Sequence, residues 1–248
     1  MKILLINPNT SVDMTARMER CAAAVLPADV ALVAHTAQRG MPYIASRAEA
    51  LIAGQITLEL IAEHHEGADA IIIGAFGDPG LVAARELFEV PVVGMAEAAL
   101  LTACMLGRRF ALVTFSRTLT AWYEDAVSLA GLDARLATIR VPDAPFEKVG
   151  NVQDELEEAL VEAAISAVEA DGADVVIFAG APLTGLAQRV AHRVPVPIVD
   201  PLEASVLQAC ALARMKPRPA TRGRFARPPA KPAIGLTEPL KAWIERSV

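Results

Sequence analysis

The stretch that decides the fold lies at residues 67–81 and reads "GADAIIIGAFGDPGL". Residues 172–186 repeat it as "GADVVIFAGAPLTGL", and "VPVVGMAEAAL" at 90–100 is repeated as "VPIVDPLEASVL" from Val196. Further back, "ILLINPNTS" from Ile3 lines up with "FALVTFSRT" from Phe110. Three matches in the same order predict a duplicated chain with two similar halves.

Each half alternates short hydrophobic runs with longer amphipathic segments such as "VQDELEEALVEAAISAVEADG". Such alternation is typical of a parallel sheet covered by helices. We therefore expect an α/β fold with two pseudo-symmetric, three-layer αβα half-domains, parallel sheets and an active-site cleft between them. The expected boundaries are residues 1–97 with 205–248 for the first half-domain and 98–204 for the second.

The composition of the chain argues against several classes of function. The 248 residues carry a net charge of −6, which argues against a nucleic-acid or membrane-surface binder. No apolar run approaches the ~20 residues of a membrane span, so we expect a cytoplasmic protein with a small-molecule ligand. Neither the four histidines nor the cysteines show metal-site spacing, and Cys21, Cys104 and Cys210 are expected to be buried thiols.

A basic segment stands near the C-terminus. The stretch "ARMKPRPATRGRFARPPAKPAIGL" contains seven Lys and Arg residues, five prolines and no acidic residue. It fits either a nucleic-acid-binding tail or an extended arm packed over the domain or a neighbour. The second interpretation is favoured because no aromatic platform beyond Phe225 is interleaved with the charges.

Ligands of open α/β sheets bind at the carboxyl ends of the strands. This rule selects four loops, at residues 7–11, 75–80, 114–118 and 180–185. In "NPNTS" the polar side chains either cap the following helix or leave N–H groups free for a carboxylate or imide oxygen. Asp78 in "GDPG" either caps a helix that starts near Leu81 or takes part in chemistry.

Taken together, "INPNTS", "GAFGDPGL", "VPVVGMAEAAL", "GLAQRV", "VPIVDPLEASV" and "RGRFARPPAKP" resemble the hydantoin racemase branch of the aspartate/glutamate racemase superfamily. The resemblance implies a homo-oligomeric enzyme that needs no cofactor. It also implies two cysteines, one after the third strand of each half, that exchange a proton on opposite faces of a stereocentre. The corresponding positions here are Ala75 and Gly180.

Both implied positions therefore lack a thiol, and a positioned acid or base contributes ~10² to 10⁴ in rate. The remaining titratable candidates near the cleft are Asp78, Tyr43 and His35. The residues expected to contact a ligand come from the cleft loops and from the segment after "RGMP": Pro8, Asn9, Thr10, Tyr43, Ile44, Phe76, Gly77, Thr114, Ala181 and Thr184.

Two functions follow from this sequence. One is an isomerase-like enzyme acting on a small hydantoin, amino acid or carboxylate by an altered route, including one-base isomerisation or decarboxylation. The other is a non-catalytic paralogue that binds a small ligand. Loss of both thiols enlarges the pocket in either case, so the sequence does not separate them.

Overall fold

The structure, a computed structural model that describes residues 1–246, contains two four-stranded sheets whose strands all run parallel. The expected α/β architecture is confirmed. The first sheet contains β1 (Lys2–Asn7), β2 (Ala31–Thr36), β3 (Ala70–Ile73) and β4 (Val92–Gly94). The second contains β5 (Phe110–Val113), β6 (Leu136–Arg140), β7 (Val175–Phe178) and β8 (Ile198–Val199).

Helices connect the strands in the order that the duplication predicts. The helices are α1 (Val12–Val25), α2 (Arg47–His64), α3 (Leu81–Leu87), α4 (Met95–Leu106), α5 (Thr120–Leu129), α6 (Val152–Glu169), α7 (Leu186–Val190), α8 (Pro201–Met215) and α9 (Glu238–Glu245). The sheet orders, β2-β1-β3-β4 and β6-β5-β7-β8, are the same topology used twice. The two halves are therefore pseudo-symmetric.

The central strands are apolar on both faces because helices cover both sides of each sheet. Every residue of β3, from Ala70 to Ile73, is fully buried, and so is every residue of β7. In register, Leu5 of β1 lies beside Ile72 of β3 and Leu112 of β5 beside Ile177 of β7. The carboxyl ends of these buried strands carry the loops that form the cleft.

Two helices cross between the halves. Helix α4 follows the first sheet in the chain but contacts β5, β7 and β8 of the second. Helix α8 follows the second sheet but contacts α1, β3 and β4 of the first, and the two helices pack on each other. One hydrophobic core consequently extends across both halves. The boundaries at residues 97/98 and 204/205 stay a prediction.

The basic segment between α8 and α9 is an arm without helix or strand. Its Arg227 guanidinium lies 4.3 Å from the centroid of the Trp243 ring, and Trp243 stacks on Phe88 of the first half at 5.5 Å. Residues 216–225 are all exposed. The arm is thus packed over its own chain through its second part. Within residues 1–246 no helix is long and apolar enough to span a membrane.

Two buried carboxylates join the cleft loops to the crossing helices. Asp78 accepts hydrogen bonds from the backbone N–H groups of Ala96 (2.8 Å) and Glu97 (2.7 Å) in the first turn of α4. The expectation that the Asp78 side chain caps a helix near Leu81 is therefore wrong, because α3 begins at Leu81 after Gly80 and has no side-chain cap.

The second buried carboxylate, Asp200, lies at the start of a helix and bonds to a cleft loop. Asp200 caps α8 through the N–H groups of Leu202 and Glu203 and also accepts the N–H of Gly185 in the cleft loop at 2.6 Å. In the repeat, Gly94 occupies the place of Asp200, and a Cβ at Gly94 would collide with the Asp78 carboxylate. Both halves thus join a cleft loop to a crossing helix, but the carboxylate lies in the loop in the first half and at the start of the helix in the second.

The pKa of Asp78 predicts how the free energy of unfolding changes with pH. Burial raises the pKa of Asp78 to about 7, although the two backbone N–H groups oppose the shift. An unfolded chain titrates this group near ~3.9, so the native state binds the extra proton between about pH 4 and pH 7. The stability that Asp78 contributes is full below this window and is lost as pH rises through 7, by on the order of 4 kcal/mol.

Urea unfolding at pH 5 and pH 8 tests this for Asp78→Asn, in which asparagine also tolerates the left-handed backbone at this position (φ 52°). The variant is expected to lose less stability than the wild type between the two pH values. Glu162→Gln, which removes an exposed carboxylate on α6, is the control. An unchanged pH slope in Asp78→Asn would contradict the assignment.

Candidate functional site

A cavity of about 570 Å³ lies where the loops of the two halves face each other. It is bounded by the β1–α1 loop, the first turns of α1, the segment before α2, the loops after β3 and β7, the start of α5 and the turn before α6. The lining residues are Asn9, Ser11, Asp13, Met14, Ala16, Arg17, Arg20, Pro42, Tyr43, Ile44, Ala75, Phe76, Trp122, Tyr123, Val149, Gly150, Asn151, Ala181 and Pro182.

Asn9 is held rigidly at the amino end of α1. Its Oδ1 accepts hydrogen bonds from the Ser11 backbone N–H (2.9 Å) and from Asn7 Nδ2 (3.1 Å). Ser11 in turn caps α1 by accepting the N–H of Met14. Among the described residues no hydrogen bond uses Nδ2 of Asn9, so this N–H₂ group is available to a ligand in the cavity. The "NPNTS" segment therefore both caps the helix and presents a donor.

Aromatic rings form one side of the cavity. The rings of Phe76 and Tyr123 meet edge to face with centroids 4.7 Å apart, and Trp122 lies 5.7 Å from Tyr123. Tyr43 lies 5.8 Å from Phe115. Only 4% of the chain is aromatic, yet both of its tyrosines line this cavity. The arrangement suits a ligand with an apolar or planar part.

Buried hydroxyl groups lie around the same loops. Within residues 1–246, the Tyr43 and Thr184 hydroxyls are buried without a hydrogen-bond partner, and the Thr114 hydroxyl lies beside Tyr123 without satisfactory hydrogen-bond geometry. Burial raises the pKa of Tyr43 and raises that of Tyr123 well above its usual value. Both phenols are therefore protonated donors at neutral pH. Buried polar groups are nearly always paired, so these hydroxyls indicate room for a ligand or water.

Arg17 joins the halves at the edge of the cavity. It donates to the carbonyl of Pro182 at 2.6 Å and to that of Gly150 at 2.7 Å, both in the second half. Burial lowers the pKa of Arg17, and the nearby Asp154 carboxylate opposes the shift. Arg20 and Asp13 also line the cavity, and both are exposed. The edge therefore carries two cations and one carboxylate.

The two positions implied for cysteine differ in backbone conformation. Ala75 is 5% exposed, lines the cavity and does not have a positive φ. Gly180 has φ 128° and ψ 136°, a conformation that residues with a Cβ rarely adopt. A Cβ built on Gly180 would lie 3.2 Å from Phe115 Cε1 and 3.3 Å from the Tyr123 hydroxyl oxygen. The second position is therefore built for glycine.

None of the three cysteines lines the cavity. The expectation of buried thiols is confirmed for Cys210 and wrong for Cys21 and Cys104, which are only partly buried. Cys21 also touches a cleft loop, since a Cβ at Gly185 would come within 2.9 Å of its Sγ. Burial, reinforced by the Asp200 and Glu203 carboxylates, raises the pKa of Cys21. The thiol is therefore neutral and packs against the loop outside the cavity.

The structure brings together six of the positions selected from sequence, since Asn9, Tyr43, Ile44, Ala75, Phe76 and Ala181 line one cavity. The others lie elsewhere. Pro8, Thr10, Gly77, Asp78, Thr114, Gly180 and Thr184 are near the loops but do not line the cavity. His35 stacks on His64 at 3.6 Å, on the edge strand β2.

Sequence reasoning did not select Arg17, Trp122 or Tyr123. Arg17 follows Asp13 and precedes Arg20 at helical spacing, so one face of α1 carried a readable signal. Trp122 and Tyr123 lie in α5, outside the strand-end loops that the sequence selects. Their direction depends on how α5 packs against the loop at residues 75–77.

Residues 3–209 match the family model Asp/Glu/Hydantoin racemase, and the chain belongs to that family. It is 30% identical to a hydantoin racemase from Paenarthrobacter aurescens over 233 residues, which are 93% of this chain and 99% of the relative. Among solved structures, allantoin racemase from Klebsiella pneumoniae has a TM-score of 0.91 and 30% identity, covering 97% and 99% of the two chains. Allantoin racemase from Pseudomonas fluorescens has a TM-score of 0.89 and 29% identity, covering 95% and 100%.

Because the backbone differs between Ala75 and Gly180, we expect the two positions to tolerate a cysteine to different degrees. Ala75→Cys adds one sulfur facing the cavity and is expected to unfold at nearly the wild-type temperature. Gly180→Cys forces a Cβ into the left-handed region beside Phe115, at a cost of about 1–3 kcal/mol.

Thermal and urea unfolding measure both effects, and Gly180→Ala is the control that separates backbone strain from the thiol. We expect Gly180→Ala and Gly180→Cys to be destabilised alike. Equal stability of Ala75→Cys and Gly180→Cys would show that the loop is not built for glycine.

Proposed function

We propose that this protein is a cofactor-independent, isomerase-like enzyme that binds a small hydantoin, amino acid or carboxylate in the cavity and acts on it without a thiol. The observation that carries the proposal is the Tyr43 hydroxyl, which belongs to a lining residue of the cavity and is buried without a hydrogen-bond partner among residues 1–246; the Thr114 and Thr184 hydroxyls in the neighbouring loops are also unpaired. Such groups cost free energy unless something else bonds to them. A bound ligand is the partner that a cleft of this volume admits.

The polarity of the cavity supports this ligand class. Arg17 and Arg20 attract an anionic or strongly dipolar group, while Asn9 offers an N–H₂ donor. Phe76, Trp122 and the tyrosine rings offer apolar surface to the rest of the ligand. Hydantoins and small carboxylates combine acceptor oxygens with such a part, and membership of the family supports them as candidates.

The route must differ from two-thiol proton exchange. Ala75 offers a methyl group, and Gly180 has no side chain. Restoring the second thiol would also require a different backbone at Gly180. Hydroxyl donors, the Asn9 amide and the Arg17 charge are what the cavity supplies to stabilise negative charge on a reacting ligand.

A second candidate function is ligand binding without turnover. The observation that favours it is the set of ionisable side chains among the described lining residues: Asp13, Arg17, Arg20, Tyr43 and Tyr123. The only carboxylate, Asp13, is exposed, and the tyrosines are protonated. The interior therefore has proton donors but no ionised base.

Proton NMR in deuterium oxide separates the two functions, with hydantoin, allantoin, aspartate, glutamate and arylmalonates as the panel. Loss of an α-proton signal or release of carbon dioxide above the buffer rate supports the enzyme. Ligand-induced shifts without turnover would overturn the enzyme and leave the binding protein. A panel that neither reacts nor binds would contradict both.

We expect the free N–H₂ group of Asn9 to donate a hydrogen bond to the ligand, and two variants test this role. Asn9→Asp keeps an oxygen to accept the Ser11 and Asn7 N–H groups but removes the free N–H₂ donor. It should melt near the wild-type temperature and bind the uncharged hydantoins of the panel about tenfold more weakly, the worth of one hydrogen bond, whereas the new carboxylate repels the anionic ligands in addition.

Asn9→Ala removes both roles, so it should lower affinity equally and also lower the melting temperature. Calorimetry measures the affinities and thermal unfolding the stabilities. Unchanged affinity in both variants would remove Asn9 from the ligand site.

A further inference from the structure

The chain contains two tyrosines that both line the cavity, and Tyr123 lies beside Gly180, the position where the family resemblance implies the second cysteine. The Tyr123 hydroxyl oxygen lies 3.3 Å from the point where a Cβ of Gly180 would stand. A sulfur on such a Cβ would extend into the space next to this oxygen. The Tyr123 hydroxyl therefore takes the place of a side chain at residue 180.

Packing fixes the position of that hydroxyl. Tyr123 is 2% exposed and its ring is held edge to face by Phe76, the residue that follows Ala75. Gly77 admits the neighbouring Trp122 ring, since a Cβ at Gly77 would collide with it. The loop after β3 thus positions the aromatic residues of α5, and the loop after β7 leaves room for the Tyr123 hydroxyl.

The Tyr43 hydroxyl provides the second, independent observation. It is buried and has no hydrogen-bond partner in the part of the chain that the structure describes, and its ring reaches the second half through Phe115. Phe115 is also the side chain beside the missing Cβ of Gly180. Burial, reinforced by the charge that Tyr43 would carry if ionised, raises the pKa of Tyr123.

We propose that Tyr43 and Tyr123 form a donor site for a carboxylate or carbonyl group of the ligand, in the space that a second catalytic thiol would use. This deepens the proposed function and rests on it. A protonated phenol donates to an acceptor oxygen, so a ligand presents an oxygen, and not an N–H or ammonium group, to this wall. The face of the ligand turned to Gly180 is then bound by donors and exchanges no proton.

The same arrangement explains the ligand selectivity that we expect. Arg17 lies at the edge of the cavity and draws anions towards it, while Asp13 and Arg20 are exposed to water. A carboxylate with an attached ring would place its oxygens against the phenols and its ring near Phe76 and Trp122. A ligand of the same shape with an ammonium group would leave the phenols unpaired, which is costly in a buried site.

Because there are only two tyrosines, labelling at ¹³Cζ gives one NMR signal for each. Tyr43→Phe and Tyr123→Phe assign the two signals, and phenylacetate, 5-phenylhydantoin and benzylamine are the probes. We expect phenylacetate and 5-phenylhydantoin to shift both signals and benzylamine to shift neither. Binding of phenylacetate that moves neither signal would overturn the proposal.

Calorimetry with phenylacetate gives the energetic test. Each Tyr→Phe variant should lose about 10- to 100-fold in affinity, as expected for a hydrogen bond to a charged group. Thr57→Val is the matched control, because it removes a buried hydroxyl that already bonds the Ala53 carbonyl in α2, away from the cavity. Full affinity in both tyrosine variants would contradict the donor site.

The outcome also separates this proposal from the proposed function. If the wild type turns over or binds the ligand panel while the tyrosine signals and affinities stay unchanged, the donor site is wrong and the proposed function stands. If no member of the panel binds or reacts, the proposed function itself is wrong. A Tyr→Phe variant that fails to fold leaves the wild-type NMR signals as the deciding measurement.

Discussion

The cleft depends on two buried carboxylates that fasten its loops to the helices crossing between the halves. Asp78 extends from the loop after β3 to the first turn of α4, and Asp200 extends from the start of α8 to Gly185 in the loop after β7. Each bond joins a buried carboxyl group to backbone N–H groups in a water-poor setting, where an unpaired polar group is costly. Loop position is thereby coupled to the packing of α4 and α8, the helices that hold the halves together.

With the loops fixed in this way, their small residues acquire specific roles. Gly77 admits the Trp122 ring, and Gly180 leaves space beside the Tyr123 hydroxyl. The cavity is therefore well packed although Ala75 and Gly180 stand where the family resemblance implies thiols. The cavity has an aromatic side with phenol donors and an edge with guanidinium groups, which is an arrangement for binding an acceptor-rich small molecule.

Much of this follows from the sequence. The internal repeat predicts two similar parallel sheets, strand-end loops predict that Asn9, Phe76 and Ala181 face one cavity, and the family resemblance adds Tyr43. The role of Asp78 is not readable, because its partners are backbone N–H groups 18 and 19 residues further on and backbone groups leave no sequence signal. Tyr123 and Cys21 depend on how helices α5 and α1 pack on loops, which no periodicity within those helices specifies.

The central claim is that the cleft works on its ligand without a thiol, and a cysteine-free chain tests it most directly. Cys21→Ala, Cys104→Ala and Cys210→Ala combined remove every sulfhydryl group, including the Cys21 thiol that packs against Gly185. The measurement is the rate of deuterium incorporation or carbon dioxide release with the best substrate of the panel, beside a thermal melt that verifies folding. We predict the wild-type rate within about twofold. A folded variant that loses turnover would show that one of these thiols carries the chemistry and would contradict the account.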